Sequence, residues 1–167
     1  MSDAYLDIET TGLSRRNAEI TVIGIYLVGG RKSRLVQLVG RDVKPRNLLA
    51  AIEEVKTIYT YNGRRFDLPF IHYSMGIDLE TLAAHHDLMY DCWQCNLRGG
   101  FKAVEAQLGI ARKLQGLNGW DAVRLWYRYL DYGDLNALAT LLQYNREDVI
   151  NLKELKEKLV RFAGLDL

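Results

Sequence analysis

Apolar residues open the chain in short runs separated by turns, which is the pattern of consecutive strands. Residues 4–9 predict a first strand, and residues 20–28 form a longer run rich in β-branched side chains. Gly29 and Gly30 then turn the chain into a third run at residues 34–39. We therefore expect the fold to begin with three antiparallel strands.

The next segments alternate between helical and strand patterns. Pro45 stands at the front of a helical pattern. Its apolar positions are Leu48, Leu49, Ile52 and Val55. Residues 57–61 predict a fourth strand, and a strand that follows a helix favours a parallel crossover. After the break at Gly63, we expect a helix over residues 67–75 and a short strand over residues 87–90.

The rest of the chain is mainly helical in pattern. Residues 91–132 predict helices interrupted by glycines, and residues 134–162 predict one long final helix. The leucines at helical spacing in that helix are Leu138, Leu141, Leu142, Leu152, Leu155 and Leu159. The order of elements indicates an α/β fold, with a mixed sheet of three antiparallel strands and then parallel strands, flanked by helices. With 167 residues and 49% hydrophobic composition, we expect residues 1–167 to form a single domain.

Composition narrows the possible classes of function. The 22 Lys and Arg residues nearly balance the 21 Asp and Glu residues, so any affinity for nucleic acid must come from local patches or bound metal. Two cysteines are too few for a disulfide scaffold, and neither a secretory leader nor a membrane-spanning apolar run is evident. We expect a cytoplasmic location without membrane association.

Candidate chemistry begins on the first predicted strand. Asp7 and Glu9 lie two residues apart, so both side chains face one side of the sheet, while Leu6 and Ile8 face the other. Two carboxylates this close repel each other unless a cation neutralises them, and their oxygens suit Mg2+ or Mn2+. A solvated acidic face on an edge strand is the alternative interpretation.

Asp148 lies on the final helix in one row with apolar side chains. The other members of the row are Leu141, Tyr144, Leu152 and Leu155. An ionised carboxylate on this apolar face needs a partner, either a metal ion or a basic residue in a buried salt bridge. Tyr144 precedes Asp148 by one turn of the helix, so its hydroxyl and the Asp148 carboxylate can reach the same point in space.

Asp67 is the third acidic candidate. It stands at the start of the helix predicted over residues 67–75, where the helix dipole favours an ionised carboxylate. Taken alone, this position is also that of an ordinary helix N-cap.

Together the three segments resemble the motifs of the DnaQ-like 3'-5' exonucleases of the DEDD superfamily. The first motif is resembled by Asp7-Ile8-Glu9-Thr10-Thr11-Gly12-Leu13. Residues 62–67 resemble the second motif, and Tyr144 with Asp148 resembles the third motif of the DEDDy subgroup. Residues 101–109 and 144–149 are further similar to the YprB-like branch. The resemblance implies a ribonuclease-H-like fold and a metal-dependent 3'-5' exonuclease that acts on single-stranded DNA or RNA with a free 3' end.

The resemblance also implies how the site residues act. Asp7 would bridge two Mg2+ or Mn2+ ions. Glu9 and Asp148 would ligate the ion that carries the attacking water, and Asp67 would help to hold the other ion. Tyr144 would orient or help to deprotonate the water, and we favour orientation because a phenol with a pKa of about 10 is a poor base at neutral pH.

Eight residues are candidates for binding the nucleic acid. They are Thr10, Thr11, Gly12, Leu13, Asn62, Arg64, Arg65 and Lys102. By resemblance, residues 10–13 would meet the terminal nucleotide, with Leu13 wedged against its base; a turn with Leu13 packed into the core is the alternative. Arg64 and Arg65 precede Asp67, and Lys102 lies at a helix start, so all three could contact phosphates. Basic runs at residues 15–16 and 31–34 are expected to be solvated surface.

Two other signals have mainly structural interpretations. Four possible zinc ligands lie close together in the sequence, namely His85, His86, Cys92 and Cys95. The second Cys pair of common zinc folds is missing, so we expect free thiols. Three tryptophans could stack on bases, although their helical spacing favours core packing, namely Trp93, Trp120 and Trp126.

Two rival functions would use the same residues. A metal-dependent endonuclease of the ribonuclease H class would need similar carboxylates but no free 3' end, and the pairing of Tyr144 with Asp148 favours the exonuclease. A non-catalytic nucleic-acid-binding module would usually have lost a metal ligand, and here all four acidic residues are present. The sequence gives no indication of protein partners or of a preference for DNA or RNA.

Overall fold

The centre of the fold is a five-stranded sheet. The computed structural model describes residues 2–30 and 32–164. The strands lie in the order β3-β2-β1-β4-β5. Their bounds are Ser2–Thr10 for β1, Ile20–Gly29 for β2, Lys32–Val39 for β3, Val55–Thr60 for β4 and Ala84–Asp87 for β5. Strand β2 pairs antiparallel with β1 and β3, whereas β4 pairs in parallel with β1 and β5.

Helices cover both faces of this sheet. Their bounds are Pro45–Ile52 for α1, Asp67–Met75 for α2, Leu88–Gln94 for α3, Phe101–Leu108 for α4, Gly119–Tyr132 for α5 and Leu135–Ala163 for α6. One apolar cluster joins Leu6 of β1 to α1 and α2, and a second cluster joins Tyr5 of β1 to α3, α4 and α6. The expected α/β class with a mixed sheet flanked by helices is confirmed. In the part of the chain that the structure describes, no helix has the length and hydropathy that a membrane span requires.

Strand β1 is central and extends beyond its parallel neighbour. Its pairing with β2 continues from Asp3 to Thr10, but its pairing with β4 covers only Ser2 to Tyr5. The second half of β1 therefore has an open side, and its backbone N–H groups there need another acceptor. Asp7 and Glu9 lie on this half, on the same face of the sheet as Tyr5, which α6 covers.

Two expected element boundaries are wrong. Val55 does not continue α1; it begins β4 and pairs with Ser2. The strand expected at residues 87–90 instead ends at Asp87, because the carboxylate of Asp87 accepts a hydrogen bond from the backbone N–H of Met89 (3.2 Å) and so caps α3. Both errors fall on short apolar segments, where helical and strand patterns are hard to distinguish.

Candidate metal centre and active site

Three of the four predicted acidic residues come together at the open half of β1. Asp7 and Glu9 project from β1 toward α6, and Asp148 projects from α6 toward the sheet. One carboxylate oxygen from each of the three lies within 4.8 Å of the others. Among the described residues, His, Cys, Asp and Glu side chains form no other group of three that could hold a metal ion in this way. The arrangement of Asp7, Glu9 and Asp148 is called the carboxylate cluster below.

Negative charge is unfavourable at the carboxylate cluster unless a cation neutralises it, because the carboxylates are buried and Asp148 repels the other two. Burial, and then the charge of Asp148, raises the pKa of both Asp7 and Glu9 well above the ordinary value. Burial also raises the pKa of Asp148, although a neighbouring guanidinium opposes this effect. Glu9 Oε1 is buried and has no hydrogen-bond partner among the described residues. Oxygen ligands with excess negative charge are what a divalent cation such as Mg2+ or Mn2+ requires.

Asp67 lies beside the carboxylate cluster without belonging to it. It is the first residue of α2, and its Oδ1 accepts a hydrogen bond from the backbone N–H of Ile8 (3.0 Å). Pairing with β4 ends at Tyr5 of β1, so Asp67 supplies the hydrogen-bond acceptor for the backbone N–H of Ile8. The N-cap interpretation is wrong, because α2 receives no side-chain cap from this residue. Burial raises the pKa of Asp67 to about 7, and its charge contributes to the raised pKa of Asp7.

Tyr144 and Lys102 face each other next to the carboxylate cluster. Tyr144 is buried one turn before Asp148, and its hydroxyl accepts a hydrogen bond from Lys102 Nζ. The same Nζ lies 4.1 Å from the centre of the Tyr144 ring. Burial, and then the charge of Asp148, raises the pKa of Tyr144 well above its ordinary value, so the phenol keeps its proton. Lys102 therefore lies beside the carboxylate cluster, and its predicted contact with phosphate stays a prediction.

Arg112 is a site residue that the sequence did not predict. It lies in the loop between α4 and α5, and its side chain is only 8% exposed. Its Nε donates a hydrogen bond to Glu105 Oε2 (2.5 Å), and its Nη2 donates one to Asp148 Oδ1. The basic partner expected for a carboxylate on the apolar face of α6 is therefore present. Asp148 combines this salt bridge with membership of the carboxylate cluster.

Asn145 is a second site residue that sequence reasoning missed. Its buried side chain donates a hydrogen bond from Nδ2 to Asp7 Oδ2 (3.2 Å) and accepts one from Gln37 Nε2 (3.0 Å). The amide reaches Asp7 across β2 at Gly24, the residue paired with Asp7. A Cβ atom at Gly24 would lie 2.1 Å from Asn145 Oδ1, so only glycine leaves room for this contact. Asn145 therefore fixes the orientation of the Asp7 carboxylate.

The loop after β1 forms the wall of a cavity beside Glu9. The Thr10 hydroxyl donates to the carbonyl of Gly12 (2.7 Å), and Thr11 Oγ1 accepts from the backbone N–H of Glu19 (2.9 Å), so both threonines shape the loop. Leu13 is 75% exposed, so the interpretation that places it in the core is wrong. The cavity has a volume of about 270 Å3, and its walls include Glu9, Thr10, Gly12, Leu13, Phe66 and Trp120.

The second predicted motif forms a turn with its arginines at the surface. Asn62 adopts a positive φ of 63°, and its backbone N–H donates to Asp87 Oδ1 (2.7 Å). Arg64 lies 3.6 Å from Glu80, and the Arg65 guanidinium lies 5.5 Å from the centre of the Trp93 ring. None of these contacts involves the carboxylate cluster, so nucleic-acid binding by Asn62, Arg64 and Arg65 stays a prediction. Arg31, in the basic run at residues 31–34, lies outside the described residues.

The histidines and cysteines do not assemble into a zinc site. Cys92 is buried, and burial raises the pKa of its thiol to about 12. His86 Nε2 lies 2.6 Å from Asp91 Oδ2, and His85 Nε2 lies 2.9 Å from Thr60 Oγ1. Each ring is thus held by a different partner. The expectation for the tryptophans is wrong at Trp120, which is 61% exposed instead of packed in the core.

The family assignment follows from a comparison over nearly the whole chain. A family model described as RNase H superfamily matches residues 4–160. The chain belongs to the RNase H superfamily. The chain is 25% identical to the uncharacterized protein YprB of Bacillus subtilis (strain 168), over 89% of this chain and 39% of YprB. The chain thus spans about two fifths of the length of that relative. The expected similarity to YprB is confirmed at this low identity, and the DEDDy subgroup stays a prediction.

Solved structures of other proteins share the RNase H fold of this chain. The family B DNA polymerase from the hyperthermophilic archaeon Pyrobaculum calidifontis superposes with a TM-score of 0.75 at 18% identity, over 97% of this chain and 25% of the polymerase chain. NrnC of Brucella melitensis with bound Mg2+ superposes with a TM-score of 0.65 at 19% identity, over 97% of this chain and 75% of NrnC. Identities this low show a shared fold alone.

Proposed function

We propose that this RNase H superfamily chain is a metal-dependent 3'-5' exonuclease that hydrolyses phosphodiester bonds of single-stranded DNA or RNA by a two-metal-ion mechanism. The proposal treats residues 1–167 as one catalytic domain. The observation that carries it is the carboxylate cluster of Asp7, Glu9 and Asp148, with Asp67 beside it and Tyr144 one turn away from Asp148 on α6.

The residues present fit a divalent metal centre. Glu9 Oε1 is buried without a partner, and three carboxylates with raised pKa values share one small volume. Asp7, Glu9 and Asp148 would hold the ions directly. Asp67 Oδ1 already accepts a hydrogen bond from the backbone N–H of Ile8, so only the other oxygen of Asp67 would support the second ion. A pair of Mg2+ or Mn2+ ions would polarise the phosphodiester and lower the pKa of an attacking water.

The other residues of the chain hold this centre and the substrate in position. Asn145 orients Asp7, and Arg112 orients Asp148, so these two carboxylates have fixed directions. Tyr144 keeps its proton and orients the attacking water through its hydroxyl, while Lys102 holds that hydroxyl. The cavity between Leu13 and Trp120 adjoins Glu9 and accommodates the terminal nucleotide. A base that enters it would contact apolar side chains, whereas its phosphate would remain at the carboxylates.

The experiment that tests the proposal is digestion of 5'-labelled single-stranded DNA and RNA with and without Mg2+ or Mn2+. The NrnC structure with bound Mg2+ makes Mg2+ the first ion to test. A copy of each strand with a blocked 3' end and the Asp148→Ala protein are included. Glu53→Gln, which changes an exposed acid at the end of α1 that is not part of the carboxylate cluster, serves as the control.

The proposal predicts a metal-dependent ladder that shortens from the free 3' end with wild type and Glu53→Gln and is missing with Asp148→Ala. Cutting of the 3'-blocked strand would favour an endonuclease of the same superfamily. No cutting of any strand with either ion would favour a non-catalytic binding module. Wild-type rates in Asp148→Ala would contradict the assignment of the site.

A further inference from the structure

The outward face of α5 carries a row of exposed aromatic and basic side chains. Trp120 is 61% exposed and Tyr127 is 44% exposed, and the side chain of Arg124 between them is 77% exposed. With about 3.6 residues per turn, these three residues fall within an arc of about 60° on the helix. Arg128 lies at the edge of this arc, and the exposed Asp131 follows on the same side one turn after Tyr127. Trp120, Arg124, Tyr127 and Arg128 are called the α5 row below.

Packing of α5 does not account for the aromatic residues of the α5 row. The inward side of the helix is formed by other residues, including the buried Ala122 and the half-buried Trp126. The Trp126 ring packs so closely on Gly40 that a Cβ atom there would lie 3.1 Å from it, and Tyr129 lies 5.6 Å away between ring centres. The inward aromatic residues therefore anchor the helix, whereas Trp120 and Tyr127 face outward.

The α5 row begins at the cavity beside Glu9. Trp120 lines that cavity together with Asn118 and Val123. The first turn of α5 is held by a capping box, in which Asn118 Oδ1 accepts a hydrogen bond from the backbone N–H of Asp121 (3.3 Å) and Asp121 Oδ2 accepts one from the N–H of Asn118 (3.0 Å). Asn118 Oδ1 also accepts a hydrogen bond from the backbone N–H of Trp120 (2.8 Å). Trp120 is thus fixed at the point where the cavity opens onto the surface of α5.

We propose that the α5 row is a binding track for single-stranded nucleic acid that leads away from the active site. This inference rests on the function proposed above. Bases stack on Trp120 and Tyr127, and phosphates contact Arg124 and Arg128. Stacking of a base on an aromatic side chain changes affinity by about 5- to 150-fold per base and tolerates any base, because every base has a π-face.

The position of the α5 row beside the cavity favours a nucleic acid over a second copy of the chain. Arg124 pairs with Asp121 at 3.7 Å, and Arg128 pairs with Asp134 at 2.5 Å, both at exposed positions. Exposed ion pairs of this kind contribute little, so the guanidinium groups can exchange to phosphate oxygens. Trp, Tyr and Arg also occur at protein interfaces, so it is the continuity of the α5 row with the cavity beside Glu9 that points to a strand leaving the active site.

The geometry of α5 makes the contribution of Tyr127 dependent on substrate length. Seven residues separate Tyr127 from Trp120, which corresponds to about 10 Å along the helix axis. A strand that occupies only the cavity and Trp120 therefore ends before it reaches Tyr127. A longer strand reaches both aromatic side chains.

The test is fluorescence anisotropy with 5'-labelled oligothymidylates of three and of twelve nucleotides. EDTA is present so that no hydrolysis occurs. The proteins are wild type, Trp120→Ala, Tyr127→Ala and the control Tyr132→Ala. Tyr132 is 84% exposed on the same helix and points about 140° away from Tyr127, so it matches the variants in chemistry but lies off the line that joins Trp120 to Tyr127.

We expect Trp120→Ala to weaken binding of both strands, and Tyr127→Ala to weaken binding of the twelve-nucleotide strand by about 5- to 150-fold without affecting the shorter one. Tyr132→Ala should bind both strands as wild type does.

Wild-type affinity of Tyr127→Ala for the longer strand would overturn the proposal of a binding track. Sedimentation that shows a dimer dissociated by Trp120→Ala or Tyr127→Ala, with strand affinity unchanged, would assign the row to a second copy instead. Failure of the proposed function can be distinguished from failure of the binding track. It would appear as no hydrolysis with Mg2+ or Mn2+, while strand binding in EDTA would still depend on the α5 row.

Discussion

Replacing Gly24 with alanine tests whether Asn145 reaches Asp7 across strand β2. Gly24 is paired with Asp7 on β1 and with Gln37 on β3. In an ordinary strand the substitution would stabilise the protein, because glycine costs about 0.5–1 kcal/mol relative to alanine. Here the new Cβ atom would lie 2.1 Å from Oδ1 and 2.8 Å from Cγ of Asn145, both well inside contact distance. We therefore expect the opposite sign.

The magnitude follows from what the methyl group displaces. Overpacking of a filled interior costs about 1–3 kcal/mol. If Asn145 moves away instead, it loses its hydrogen bonds to Asp7 (3.2 Å) and Gln37 (3.0 Å). Leaving a buried polar group without its hydrogen-bond partner costs about 1–3 kcal/mol. We expect Gly24→Ala to lower the free energy of unfolding by about 3 kcal/mol, which for a chain of this size lowers Tm by roughly 10 °C.

The assay is a double-mutant cycle by urea denaturation of metal-free protein. Wild type, Gly24→Ala, Asn145→Ala and the double variant are compared, with Gly119→Ala as a control because nothing lies within 4 Å of a Cβ atom at that position. In the Asn145→Ala background the methyl group has room, so Gly24→Ala should cost less than about 1 kcal/mol there. Equal costs of Gly24→Ala in both backgrounds would refute the contact.

Three further predictions concern groups around the carboxylate cluster. Tyr144→Phe removes a hydroxyl that orients the attacking water but no metal ligand, so kcat should fall by about 10- to 100-fold and still exceed that of Asp148→Ala; equal inactivity would contradict an orienting role. Burial raises the pKa of Asp67 from 3.8 to about 7 in the folded state. In metal-free protein, its contribution to the free energy of unfolding is therefore fully present below pH 3.8 and is lost as the pH rises through about 7. The loss of stability between about pH 5 and pH 8, measured by urea denaturation, should therefore be smaller in Asp67→Asn than in wild type, and an equal loss would count against the raised pKa. Arg112→Gln leaves Glu105 and Asp148 without their cation, so the metal-free variant should lose about 3–5 kcal/mol and gain more in Tm on Mg2+ addition than wild type does; equal gains would oppose this.

Local patterns predicted the strands and the acidic residues because each depends on near neighbours in the sequence. The spacing of Asp7 and Glu9 places them on one face of β1, and the apolar row of α6 places Asp148 toward the sheet. The helical spacing of Trp120 and Trp126 likewise favoured core packing for both residues. It could not show which face the sheet covers, so the expectation for Trp120 was wrong while Trp126 is half-buried.

The missed residues depend on contacts between distant parts of the chain. Asn145 bonds to Asp7 across 138 positions of sequence, and Arg112 bonds to Asp148 across 36. No periodicity links such positions. The cost of burying the charge of Asp148 indicated that a basic residue or a metal ion must lie nearby, but it did not identify Arg112. Gly24, within an apolar strand, was an overlooked sign that another side chain approaches the backbone there.

The central claim, that the carboxylate cluster holds divalent metal, is tested most directly by titrating Mn2+ into the protein and measuring free Mn2+ by electron paramagnetic resonance. Wild type and the Glu53→Gln control should take up Mn2+ to the same extent. Asp7→Asn and Asp148→Asn should lose this uptake at neutral pH, because each removes a charged ligand oxygen from a group whose members lie within 4.8 Å. Undiminished Mn2+ uptake by both variants, with their fold intact, would contradict the claim.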